Sequence, residues 1–206
     1  MTTNIPKEFI AQFLPNNPVI VEAGAHIGRD TKKMIKVWPH AIIHVFEPVQ
    51  ELFTELQKNV AKYPSIHCYP YALSNQNGTA SFHVSSGRST ATSSLLQPKE
   101  YLKEHPTTQF EIRTVPTTTL DAWAQQHAIS HIDFLWLDMQ GGELLALEGA
   151  TQLLPTVTAI YAEVNFVERY EHNPTYAEIK RFLASYGFRS IKEAFNDIWG
   201  NALFIR

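Results

Sequence analysis

Val21-Glu22-Ala23-Gly24-Ala25-His26-Ile27-Gly28 joins an unbroken apolar run, Val19-Ile20-Val21, to a segment over 29–37 whose Met34, Ile35 and Trp38 fall on one helical face. A short run with no polar alternation suits a parallel strand buried on both sides. The glycines let the backbone turn sharply and let a ligand lie against the main chain. In open α/β sheets such a loop sits at the carboxyl ends of the strands, where ligands bind. A dinucleotide loop would want glycines at 24, 26 and 29; His26 and Arg29 stand at the last two, so that pattern is not met.

The same alternation continues on both sides of this loop. Ile42–Phe46 reads as a second buried strand, and 49–62 as a helix carrying Leu52, Phe53, Leu56 and Val60. Ile66–Tyr71 is a third strand. Ile132–Leu137 is another, ending at Asp138, with a helix through Leu144, Leu145 and Leu147. Val157–Val164 is a strand, and Tyr176–Tyr186 a helix closed by Gly187. Phe188–Ile191 and Ala202–Ile205 close the chain as an antiparallel pair. The expected fold is α/β: a doubly wound, mostly parallel sheet with helices on both faces. One domain spans 1–206, with 1–17 as an N-terminal extension. Thr79–Val84 and Phe110–Val115 pair beside it, and 85–109 reads as an irregular lid or acceptor loop whose Ser/Thr-rich part, Ser85–Ser94, is mobile.

The 206 residues carry 17 basic and 20 acidic side chains, a formal charge of −3. That balance offers no overall field for long nucleic acid or an anionic membrane and leaves a small-molecule or neutral glycan acceptor open. Cys68 is the only cysteine, and with His67 it lacks the further ligands of a zinc site, so no metal is expected. The start has no basic run leading into an apolar core, and no apolar run is long enough to cross a bilayer; the expected location is the cytoplasm.

Strand ends carry the candidate chemistry. Glu22, two before Gly24, suits a cofactor with a cationic amino group, with Gly24, Ala25, His26 and Gly28 forming the cradle; a plain tight turn is the other reading. Glu47 ends the second strand, where a carboxylate can accept both hydroxyl protons of an adenosine ribose, or simply precede a helix begun by Pro48. Ala72 and Leu73 follow the third strand, in position to border an adenine through their N–H groups or to make a structural turn. Asp138 can orient the cofactor or act as a base. Glu143 reads as a first-turn helix carboxylate. Glu163 ends an apolar strand, where an acid wants a partner or a ligand. Asp138 and Glu163, on adjacent strands, line one acceptor pocket, and His26 either touches the acceptor or replaces a polar turn residue. Asp138, Glu163 and His26 are the catalytic candidates, with Gln140 in reach to orient a hydroxyl.

Glu22 to Gly28, Phe46-Glu47-Pro48, Ala72-Leu73-Ser74, Ser93-Ser94-Leu95, Thr119-Leu120-Asp121, Ile132 to Glu143 and Leu147-Glu148-Gly149-Ala150 together resemble the FkbM-type methyltransferase family, as do Phe182 to Phe188 and Asn201 to Phe204. The family's usual Asn is His26 here, its Lys is Trp136, and its Val-Glu-Gly-Ala-Glu is Met139-Gln140-Gly141-Gly142-Glu143. The resemblance implies S-adenosylmethionine as cofactor and O-methylation of a sugar or other hydroxylated metabolite. Two other functions stay open: a cofactor-binding module without catalysis, suggested by Gln140, and a protein or nucleic-acid methyltransferase.

Overall fold

A computed structural model describes residues 3–206. Its frame is a seven-stranded sheet. The first five strands in space are β1 (Val19–Ala23), β2 (Ile42–Phe46), β3 (Ile66–Tyr69), β7 (Phe134–Leu137) and β8 (Ala159–Asn165), all parallel. They stand in the order β3-β2-β1-β7-β8, and then β10 (Trp199–Ile205) and β9 (Arg189–Phe195) follow, β10 running antiparallel to both neighbours. This is the expected doubly wound sheet with its closing pair, the two last strands being longer than their apolar cores suggest. No helix is long and apolar enough to cross a membrane among the described residues.

Alternation along each strand feeds two cores. Val21, Ala23, Leu135 and Leu137 face α5 (Leu120–Gln126), α6 (Glu143–Glu148) and α7 (Tyr176–Ser185). Ile20, Phe134 and Trp136 face α1 (Lys7–Ile10), α2 (Arg29–Val37) and α3 (Gln50–Val60). Thr119 caps α5 by accepting from Ala122 N–H, and α7 opens on a capping box of Thr175 and Glu178. Gly187, at φ 84°, ends α7 as expected.

The chain departs from the sequence reading in three places. The third strand stops at Tyr69 because Pro70 has no N–H to continue the ladder. Ala72–Leu73 is instead β4 of a second sheet, ordered β4-β6-β5, with β5 over Gly78–Gly87 and β6 over Thr108–Thr118. Second, 85–109 is not irregular throughout. Ser85–Gly87 still pair with Thr108–Phe110, and a short helix, α4 (Glu100–Glu104), follows. The Ser/Thr hydroxyls fold this stretch onto itself: Ser85 N–H donates to Ser93 Oγ (3.0 Å) and Thr92 N–H to Ser85 Oγ (3.1 Å), while His83 and Ser94 exchange two backbone bonds. Third, the N-terminal extension is packed from residue 3 onward. Ile5 and Ile10 are wholly buried, Lys7 lies 3.8 Å over the Trp136 ring and pairs with Asp30 at 2.7 Å, and Asn201 Nδ2 donates to the Thr3 carbonyl.

Candidate functional site

Two cavities meet at the carboxyl ends of β1, β2, β7 and β8. The first is walled by Gly24, His26, Phe46, Glu47, Ala72 and Leu73, and roofed by Thr90, Ala91, Ser93 and Leu95. Gly24 holds φ 82°, and a Cβ there would stand 1.9 Å from the Asp138 carbonyl oxygen. Only glycine lets β1 turn this closely against the end of β7. Gly28, at φ 77°, caps α2 and packs on Leu56 and Val60.

Glu47 is buried, and each of its oxygens is fixed by a backbone donor: Oε2 by His26 N–H (3.0 Å) and Oε1 by Val49 N–H (2.9 Å). Burial pushes its carboxyl up to about 7, against the pull of those two bonds. His26 holds φ 52°, and its Nε2 lies 2.8 Å from Thr90 Oγ1, joining the glycine loop to the roof. Burial, then the Arg29 charge, lowers the imidazole's pKa.

The second cavity is lined by Trp136, Tyr161, Trp199 and Asn201, by Asn4, Lys33 and its partner Asp30, and by Glu163. Asp138 and Gln140 line both cavities. Trp136 and Tyr161 stack at 3.7 Å. Asp138 opens to solvent, yet the protein crowds it closely enough that desolvation raises its carboxyl above the ordinary range. Gln140 stands between the acids. Its Nε2 donates to Asp138 Oδ1 (3.0 Å) and to Glu163 Oε2 (2.8 Å), while its Oε1 accepts from Tyr170 Oη (3.1 Å). Behind them Arg169, 4% exposed, sets Nη1 3.5 Å from Glu163 Oε1 and lies over the Tyr101 and Trp199 rings. Burial and the nearby Asp138 hold Glu163 well above the usual carboxylate range, opposed by Arg169.

Of the residues expected at the site, Gly24, His26, Glu47, Ala72, Leu73 and Asp138 share the first cavity, and Asp138 and Glu163 share the second. Glu22, Ala25 and Gly28 stand outside both walls. The Glu22 carboxyl is buried behind the loop, where Oε2 accepts from Thr31 Oγ1 (2.5 Å), and burial pushes it up to about 8. Gln140 has its amide spent on protein partners rather than free for a hydroxyl. Glu143 is not a solvated first-turn acid: it is wholly buried, accepts from Met139 N–H at 2.7 Å and is pushed up by burial to about 8. Phe46, Phe82, Thr90, Met139, Arg169 and Tyr170 were not foreseen. Phe82 follows from the inward alternation of β5, but Arg169 and Tyr170 lie in a loop without periodicity and left no signal.

The cradle suits a nucleoside-bearing cofactor with a sulfonium. Phe46, Leu52, Phe82 and Leu95 give it apolar walls, the Glu47 carboxylate is fixed in its lining, and the Gly24 backbone is bare where any side chain would collide.

A family model described as the methyltransferase FkbM domain matches residues 22–190. The chain is 28% identical over 173 residues to the 2-O-methyltransferase NoeI of Sinorhizobium fredii, a match spanning 81% of this chain and 71% of that protein. Among solved structures it resembles the methyltransferase FkbM of Methylobacillus flagellatus, with TM-score 0.65 and 14% identity over 98% of this chain and 48% of that one, so this chain spans about half its length. It also resembles Aeropyrum pernix fibrillarin in complex with natively bound S-adenosyl-L-methionine, with TM-score 0.53 and 11% identity over 93% and 69% of the two chains. At these identities the solved structures show the fold alone.

Proposed function

This chain belongs to the FkbM methyltransferase family, and from that premise we propose that it methylates a hydroxyl of a sugar or other small polyhydroxylated acceptor, using S-adenosylmethionine. One observation carries the reading: the glycine-loop cavity and a second, polar and aromatic cavity meet at a single carboxylate, Asp138. The 2-O-methyltransferase relative supports oxygen as the atom methylated.

When bound, S-adenosylmethionine supplies a methyl group on a cationic sulfur. The chain's task is then alignment and a proton. Glu47 has one lone-pair direction on each oxygen taken by a backbone N–H and the others free toward the cavity, which suits a ribose diol. Ala72 and Leu73 border the adenine edge. The acceptor hydroxyl lies in the second cavity, and Asp138 takes its proton. Its raised pKa brings it nearer to the acceptor oxygen's own basicity as that oxygen attacks. Glu163, tied back by Gln140 and Arg169, holds the far side of the acceptor. His26 closes the rim with Thr90.

Calorimetric titration with S-adenosylmethionine tests the cavity. The Glu47→Ala protein is expected to bind about 10- to 100-fold more weakly, as the loss of hydrogen bonds to a charged group of about 1.5–3 kcal/mol requires. The Asp138→Ala protein should bind with little change and transfer about 10²- to 10⁴-fold more slowly. Normal turnover by Asp138→Ala removes it as the base. Tight cofactor binding without methylation of any hydroxylated extract would leave a binding module instead.

A further inference from the structure

The rim of the second cavity continues across Lys33 into an open groove formed by Arg29, Lys32, Lys33, Lys36 and Lys62 with Tyr63. No acidic side chain lines it. Among the described residues only Lys33 of these five has an ion-pair partner, Asp30 at 3.1 Å, and Asp30 also takes Lys7. The chain as a whole is acidic, at −3, so this concentration of cations is local.

The groove also runs against the preferences of the helix that builds it. Arg29, Lys32, Lys33 and Lys36 are neighbours on α2 at three- and four-residue spacing, where like charges repel. Arg29 opens the helix, at the end whose dipole disfavours a cation and favours an anion. Lys62 comes from the turn after α3 and adds a fifth charge from a different element. Four neighbouring cations without counter-charges, Arg29 among them in the first turn of α2, are what an anionic ligand would neutralise. One carboxylate would leave most of the charge unmatched, whereas a phosphate ester or diphosphate matches it.

We propose that this groove binds a phosphate or diphosphate carried by the acceptor itself, so that the substrate is a phosphorylated sugar whose reacting hydroxyl reaches Asp138 while its phosphate lies along α2. This rests on the methyltransferase reading above. Lys33 links the two halves, since it lines both the acceptor cavity and the groove. The aromatic side chains Trp136, Tyr161 and Trp199 face the uncharged part. The reaction that supplies such a substrate is one that phosphorylates a sugar, or one that transfers a nucleotidyl group to the phosphate of a sugar phosphate.

The test uses inorganic pyrophosphate as the probe of the groove, titrated calorimetrically into the wild type and into Lys32→Glu/Lys36→Glu. These two residues stand outside the two cavities. The double variant is expected to lose pyrophosphate affinity by about tenfold or more while keeping its affinity for S-adenosylmethionine, which also shows that it folds. Hexose 1-phosphates should take labelled methyl groups faster than the parent hexoses, and the double variant should erase that preference. Pyrophosphate binding that survives the charge reversal overturns the proposal. So does equal methylation of hexose and hexose phosphate. So would a single-stranded RNA or a phosphatidylglycerol vesicle binding the groove while no hexose phosphate is methylated, because the occupant would then be a different class of partner. Failure of the wild type to bind S-adenosylmethionine strikes the methyltransferase reading and is scored apart from the pyrophosphate arm.

Discussion

The side-chain amide of Gln140 donates at once to Asp138 and to Glu163. As a sequence position Gln140 is an amide where the family's carboxylate usually stands, free to meet a hydroxyl. In the folded chain it is held at φ 54° with both polar ends engaged, keeping Asp138 and Glu163 apart by donating to each. Removing it leaves two acids with no donor between them, so repulsion raises the pKa of Asp138. A base that must be ionised then works only at higher pH. The Gln140→Ala protein is expected to shift the acid limb of its kcat–pH profile upward by about one unit, with cofactor affinity little changed; an unmoved limb would show that the amide does not tune the base. Gly24, Glu47 and Asp138 were legible because each ends a strand, and the ends of parallel strands converge on one edge. Glu22 was legible as an acid but not in its orientation. It alternates with Val21 and Ala23, so its side chain points to the opposite layer, toward Thr31.

The elements were legible wherever burial imposed a period. Strands β1, β2, β7 and β8 are mostly apolar, interrupted only by Glu22, His44, Glu163 and Asn165, and α2, α3 and α7 carry apolar faces. The small sheet was seen only as a weak pairing because its strands alternate with one solvated face, and the Ser85–Ser94 turn was read as loose because hydroxyl-to-backbone bonds leave no hydrophobic pattern. The N-terminal segment shows the same blindness. Its four-residue helix is too short for a period, yet Ile5 and Ile10 are wholly buried against α2 and the sheet. Ile10→Ala is expected to cost about 2–5 kcal/mol, read as a lowered midpoint in urea. Loss of that contact also slackens Asn4 at the acceptor wall, so KM for the acceptor should rise more than that for the cofactor.

At the scale of the molecule, pH acts on stability from two directions. The folded pKa of Glu22 is raised to about 8 from an ordinary 4.5. The folded state therefore keeps a proton that the unfolded chain releases, so this contribution is fully present below 4.5 and is lost as pH rises to 8. His44 is lowered to about 4 from 6.5 by burial and then by His67 and His127, so its contribution is present above 6.5 and lost as pH falls to 4. The Glu22→Gln protein should match the wild type near pH 4.5 and exceed it in unfolding free energy above pH 8, by a margin on the order of a few kcal/mol, read from urea midpoints. A difference between the two proteins that does not change with pH would mean that Glu22 is ionised in the fold.

The closing strand has a consequence for how the chain comes into being. β10 is the last strand in chain order, yet it lies between β8 and β9, not at the margin. Glu163 faces Asn201 across it, and Asn201 in turn holds Thr3. During synthesis Gly24, His26 and Glu47 leave the ribosome first, but the cavity they line also needs Thr90, Leu95 and Asp138, and β1 needs β7 beside it. The wall of the second cavity comes later still. Until residue 205 has emerged, β8 and β9 each wait with an open edge, and Asn201 is not yet in place to hold Thr3. The first cavity is therefore closed only when β7 has joined β1, and the second only when β10 has brought Trp199 and Asn201 beside Glu163.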